Sequence, residues 1–89
     1  MRKVVFTKKF RKDLRLQNKR GLNTDKLAKI IKEMCKIGTV PVVCKPHKLN
    51  GKWKDYLECH IEPDWLLIYR VDDETIYLYR TGTHPDLFE

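Results

Sequence analysis

Apolar and aromatic residues crowd the last third of the chain in runs of strand length. Trp65 to Val71 (WLLIYRV) and Thr75 to Arg80 (TIYLYR) read as two β-strands, with Asp72, Asp73 and Glu74 breaking the run as a turn. A shorter strand-like piece, Tyr56 to His60, precedes them and closes with a turn at Glu62-Pro63. Nearer the N-terminus the period changes. Val4-Val5-Phe6 is β-branched and aromatic and predicts a short first strand. Thr7 is a candidate N-cap for a helix running to about Lys19, with Phe6, Phe10 and Leu14 at four-residue spacing and Gly21 as its end. A second helix starts after Thr24 or Asp25, with Leu27, Ile30, Ile31, Met34 and Ile37 on one face and Gly38 as its stop. Pro41 and Pro46 predict an extended connector, and Asn50-Gly51 is a strong short hairpin signal. The order β-α-α-β-β-β predicts an α+β fold: a small antiparallel sheet with the two N-terminal helices packed on one face. No internal repeat or low-complexity segment divides the chain, so residues 1–89 read as a single domain.

Tight turns fix which side chains meet. A hairpin turning near Asp73 sets Arg80 opposite Leu66 or its neighbours, beside Asp64 and Trp65, and a turn near Glu62 brings His60 to the same place. One register step changes the face of every side chain, so the clustering is firmer than the facing. His60, Asp64, Trp65 and Arg80 therefore gather at one end of the sheet, with His84 four residues beyond.

Charge sharpens this picture. The net charge is +7, but residues 1–54 hold 17 of the 19 Lys and Arg against three acids, an excess of +14, while residues 55–89 carry −7. So basic a front half draws polyanions, because neutralised phosphates supply most non-specific nucleic-acid affinity. A solvated lysine-rich surface is the plainer alternative. Neither helix carries the bare apolar face that membrane-surface binding needs, and no run approaches membrane-spanning length. Cys35, Cys44 and Cys59 are odd in number and lack CxxC spacing, which makes a disulfide framework unexpected and a reducing cytoplasm the expected home.

Each candidate residue has an ordinary explanation. His60 serves as a strand-end histidine bonded to Asp64, Asp64 as a turn residue, Trp65 as core, and Leu87 with Phe88 as a tail tucked into an apolar groove. His47, between basic residues in the connector, reads as an exposed loop histidine. Their joint placement favours a site. The histidines lack close pair spacing, and no metal or cofactor is expected. Cys59 and His60 point to opposite faces of a strand, which argues against a cysteine nucleophile. RNA phosphodiester cleavage fits better: imidazoles serve as base and acid near neutral pH, Arg80 binds the phosphate as a fork, and Trp65 and Phe88 stack splayed bases.

The segment from Pro46 to Phe88, PHKLNGKW…ECHIEPDWLLIYR…LYRTGTHPDLF, closely resembles the YafQ branch of the RelE-like toxins, in the RelE/ParE superfamily of bacterial type II toxin–antitoxin systems. The front half, FTKKFRKDLRL and a lysine-rich helix, is similar too. The resemblance implies a microbial-RNase-like α+β domain, an mRNA interferase that cleaves messenger RNA in the ribosomal A site by metal-free attack of the 2′-oxygen. It also implies a cognate antitoxin as partner and ribosomal RNA as a surface for the basic half. Carried over by position, it marks His47, His60, Asp64, Arg80 and His84 as catalytic, and Trp65 and Phe88 as substrate-binding. In that scheme Arg80 meets the phosphate, His84 is the acid, and His60, oriented by Asp64 and assisted by His47, is the base. Pro85 stands where serine is common in the branch. A non-catalytic basic RNA-binding module is the alternative reading.

Overall fold

A computed structural model describes residues 2–88. Strand β1 (Lys3–Phe6) leads into helices α1 (Lys8–Lys19) and α2 (Thr24–Ile37); strands β2 (His47–Lys48), β3 (Leu57–Glu62), β4 (Trp65–Val71) and β5 (Thr75–Gly82) follow, and a short helix α3 (His84–Phe88) ends the described chain. The five strands form one sheet in the order β1-β5-β4-β3-β2. This is the α+β architecture expected, with two differences.

The sheet is mixed, not antiparallel: β1 runs parallel to β5, Lys3 opposite Thr75 and Phe6 opposite Leu78. Hairpins dictate antiparallel pairing only between strands joined by tight turns. Strand β1 meets β5 from the far end of the sequence, so no loop sets its direction. The connector is also less extended than its prolines suggest. A 3₁₀ turn occupies Val42–Cys44, and His47–Lys48 then pairs with Leu57 and Glu58 as an extra edge strand. Asn50-Gly51 opens a second 3₁₀ turn, Gly51–Trp53, inside an eight-residue loop rather than a two-residue hairpin.

The helices begin and end for local reasons. Thr7 Oγ1 accepts the Phe10 amide at 3.1 Å and caps α1, while donating to the backbone of β5. Asn23 caps α2, one residue ahead of the expected start, and Gly38 ends it at φ 77°, a left-handed position that glycine reaches without a Cβ clash. Phe10, Leu27, Ile30 and Met34 seal one face of the sheet against Cys59, Ile61, Trp65, Leu67, Tyr69, Ile76 and Leu78. Fully burying a side chain such as Phe10 or Leu27 contributes about 1.5–3 kcal/mol. A smaller cluster on the opposite face joins Leu66, Ile68 and Leu87 to Leu49, Trp53, Tyr56 and Tyr79. Trp65 through Tyr69 are all buried because β4 is covered on both faces, which is why its sequence does not alternate.

Candidate active site

The face of the sheet away from α1 and α2 collects the imidazoles. Because side chains alternate along a strand, Glu58 and His60 of β3 point the same way as Leu66 and Ile68, their partners on β4. Strand β2 sets His47 directly opposite Glu58. Glu58 Oε1 lies 3.2 Å from His47 Nε2 and 3.8 Å from His60 Nε2, and this carboxylate is 5% exposed. His47 Nδ1 meets the Lys45 carbonyl at 3.2 Å, so a doubly protonated His47 finds an acceptor for each N–H. His60 Nδ1 is 3.4 Å from the Pro63 carbonyl.

The third imidazole comes from the tail. Thr83 and Asp86 cap each other: the Thr83 amide donates to Asp86 Oδ2 at 2.9 Å and the Asp86 amide donates to Thr83 Oγ1 at 3.2 Å. Arg20, the C-cap of α1, forks onto the Asp86 carboxylate at 2.6 and 3.1 Å. That hydrogen bond, more than the Thr83 contacts, holds Asp86 well below the usual carboxylate range. Leu87 plugs the smaller core. So anchored, α3 sets the His84 ring 6.2 Å from that of His60, while His47 and His60 lie 6.4 Å apart. Phe88 continues the arc 6.1 Å from His84, and Trp53, Tyr79 and Tyr56 extend it with ring spacings of 5.0 to 6.4 Å.

Arg80 reaches this face through a β-bulge. From Val71↔Ile76 to Tyr69↔Leu78 the β4–β5 register is regular, and extending it would put Arg80 opposite Leu67, against the helices. The ladder instead skips Tyr79 and pairs Arg80 with Ile68. One inserted residue flips everything after it to the other face. The Arg80 side chain is 24% exposed and borders two clefts: one of about 500 Å³ with Lys52, Trp53, Tyr56, Tyr79 and Asp86, and one of about 610 Å³ with Lys12, Arg15 and Lys19. Lys9 lines both.

The structure thus gathers His47, His60, His84 and Phe88 along one arc with Arg80 on the same sheet face, and corrects three expectations. Asp64 does not orient His60. It sits at the tip of the β3–β4 turn, 3.5 Å from His84 Nδ1 and 3.4 Å from the His84 amide, because Leu66 pairs with both His60 and Gly82 and leaves the tip beside the tail. Trp65 does not offer a stacking platform. It is 1% exposed on the helix side, where its Nε1 donates to Thr81 Oγ1 at 2.8 Å. Arg80 lies opposite Ile68, not at the rim beside Asp64. Sequence reasoning also passed over Glu58, although two-residue periodicity from His60 points to it, and Asp13, whose pairing with Arg80 had no local signal. The half-buried aromatic arc of Trp53, Tyr56 and Tyr79 was missed as well. Among the described residues no three His, Cys, Asp or Glu side chains group to hold a metal ion. Burial pushes the Cys59 thiol far up, against service as a thiolate nucleophile.

Comparison with known proteins gives a consistent outcome. The family model described as "Bacterial toxin of type II toxin-antitoxin system, YafQ" matches residues 2–89. The chain is 39% identical over 89 residues to the mRNA interferase toxin YafQ of Escherichia coli K12, covering 98% of this chain and 96% of the relative. Among solved structures it superposes on a YafQ mutant from E. coli at TM-score 0.91 and 36% identity, with both chains covered completely. It superposes equally on YafQ in the E. coli DinJ–YafQ complex, at TM-score 0.90 and 37% identity over 100% of each chain. With a family match across nearly its whole length, this chain belongs to the YafQ family of type II toxin–antitoxin toxins.

Proposed function

We propose that this protein is an endoribonuclease of the mRNA interferase type, a single-domain toxin that inhibits translation by cleaving messages. The observation that carries this reading is the convergence of three imidazoles and a buried carboxylate on one sheet face, with a guanidinium at its edge and aromatic rings alongside. The relative it resembles over nearly all its length is named an mRNA interferase toxin.

The reaction moves two protons around one phosphate. His60 takes the proton of a 2′-hydroxyl, with Glu58 and His47 ordering the base side. The 2′-oxygen attacks the adjacent phosphorus and the bond to the 5′-oxygen breaks. His84, beside Asp64, returns a proton to that leaving oxygen, so the products are a 2′,3′-cyclic phosphate and a free 5′-hydroxyl. Imidazoles suit both steps near neutral pH. Arg80 stabilises the charge that builds on the phosphoryl oxygens. Phe88, 41% exposed, and the Trp53–Tyr79 arc hold unstacked bases, a role that buried Trp65 cannot fill.

Two partners follow. The structures of YafQ with DinJ make a cognate antitoxin the expected protein partner. The cations of α1 suit an RNA backbone, which makes the ribosome, with message in its A site, the setting for cleavage in the cytoplasm.

Controlled expression with mapping of messenger RNA 5′ ends tests the proposal, beside a doubly substituted Arg80→Ala, His84→Ala control. New in-frame ends that the control lacks support a ribosome-dependent interferase. Unaltered messages in the presence of folded protein would leave a non-catalytic RNA-binding module as the better reading.

A further inference from the structure

Arg80 does not stand free on the active face. Asp13, in the second turn of α1, accepts its Nε–H at 2.6 Å and one Nη2–H at 3.0 Å. The same carboxylate accepts the Thr81 amide at 3.2 Å and is only 12% exposed. Thr81 is itself locked, its hydroxyl donating to the Leu66 carbonyl at 2.7 Å. Asp13 is therefore a fixed point built on both α1 and the sheet.

A guanidinium has five N–H donors. Two are spent on Asp13, and three remain on the edge turned away from it. Arg80 lines the clefts on either side of it. Lys9, Lys12, Arg15 and Lys19 surround it, and without a carboxylate there the guanidinium would be driven outward by like charge. Helix α1 does not need Arg80 to stay on the sheet, because Thr7 bonds the β5 backbone and Asp13 already holds the Thr81 amide.

We propose that Asp13 is a positioning residue for cleavage: its carboxylate forks the inner edge of Arg80 and presets the outer edge toward the scissile phosphate. This rests on the reading of Arg80 given above. A long, flexible side chain held in its working rotamer loses no freedom when charge develops on the phosphate. The result is a faster chemical step rather than tighter binding of RNA.

The test is Asp13→Asn, which keeps the side chain's size, compared with wild type and Arg80→Ala in single-turnover cleavage of message in a purified translation system. The rate at saturating toxin and the half-saturating toxin concentration are both measured, well below each variant's melting temperature. Asp13→Asn is expected to lower the saturated rate roughly 10–100-fold while the half-saturating concentration stays within about twofold. A wild-type rate overturns the proposal. So does a change confined to the half-saturating concentration, which would make Asp13 a binding residue. An Asp13→Asn protein that does not fold overturns it too, assigning the carboxylate to stability. Wild-type cleavage by Arg80→Ala instead removes the reading of Arg80, whatever Asp13 does.

Discussion

Replacing Thr81 with valine separates the structural role of Trp65 from a substrate role. The hydroxyl of Thr81 sits in a buried relay: it accepts the Trp65 indole N–H at 2.8 Å and donates to the Leu66 carbonyl at 2.7 Å. Both side chains are essentially inaccessible, at 1% and 0%. Valine has nearly the same shape, so the packing survives while the hydrogen bonds go. The donated bond to Leu66 contributes about 0.5–1.5 kcal/mol, and the orphaned indole N–H costs about 1–3 kcal/mol because no water reaches it. The carbonyl suffers less, since its second lone pair remains available to the strand ladder. The total is roughly 2–4 kcal/mol, a fall in Tm of roughly 10–20 °C for a chain of this length. Trp65→Phe should cost a similar amount, through the lost N–H and the cavity left by the larger ring. The double variant should cost less than the two single changes combined, because once either partner is gone the other has less to lose. Urea unfolding gives all three values. Cleavage per folded molecule should stay within about threefold of wild type. A Thr81→Val loss below about 0.5 kcal/mol would refute the buried relay. A Trp65→Phe protein that is folded but inactive would restore Trp65 as a substrate contact.

Two further outcomes follow from the site. Glu58→Gln keeps the side chain's volume but removes the charge between His47 and His60, so single-turnover cleavage should fall roughly 100-fold and its pH profile should shift; an unchanged profile between pH 5.5 and 8.5 would remove Glu58 from the base side. Asp86 titrates below its ordinary range in the folded protein, so its contribution to stability is complete above its unfolded value, about 3.9, and is lost as pH falls through the lower folded value. Asp86→Asn should therefore melt well below wild type at pH 7, with the gap closing under about pH 4; a gap equal at pH 7 and pH 3 would contradict the assignment.

Much of this was legible from residue order. Strand periodicity located β3, β4 and β5, and the turn at Asp72–Glu74 is stabilised as a run of acids predicts, with Asp72 accepting the Glu74 and Thr75 amides at 2.9 and 2.7 Å. Amphipathic spacing located both long helices and the buried Phe10, Leu27, Ile30 and Met34, but Phe6 and Ile37, expected on the same faces, are exposed, and the buried Gln17 was missed. What escaped was information the local pattern does not hold. Nothing in TIYLYR announces that Tyr79 will be skipped, yet that single bulge decides whether Arg80 pairs opposite Leu67, under the helices, or opposite Ile68, on the other face. Trp65 heads a strand covered on both faces, so its side cannot be told by alternation. The two-residue strand β2 is too short to show a period, which left His47 unplaced by sequence until Glu58 was seen opposite it.

The lopsided charge of the sequence also finds its physical sense in the fold. Helix α1 is densely basic, but with its C-cap it also contributes two residues that tie it to β5 and α3. Asp13 lies within the helix, and Arg20, seven positions on, is its C-cap. Asp13 forks Arg80 at the bulge, and Arg20 forks Asp86 at the base of α3. Each pair joins the basic half of the chain to the other half. Several acids of that second half have partners of their own: Asp86 on Arg20, Asp72 on its turn, Glu62 within 3.9 Å of Lys26, and Glu58 between imidazoles. Among the described residues no ion pair engages Lys9, Lys12, Arg15 or Lys19, the cations of the cleft beside α1. One helix thereby fixes the spacing between the phosphate-attracting surface and both Arg80 and His84. On the function proposed above, an RNA held by α1 would meet a guanidinium and an imidazole whose placement is set by folding rather than by the substrate, the kind of preorganisation that stabilises charge as it develops.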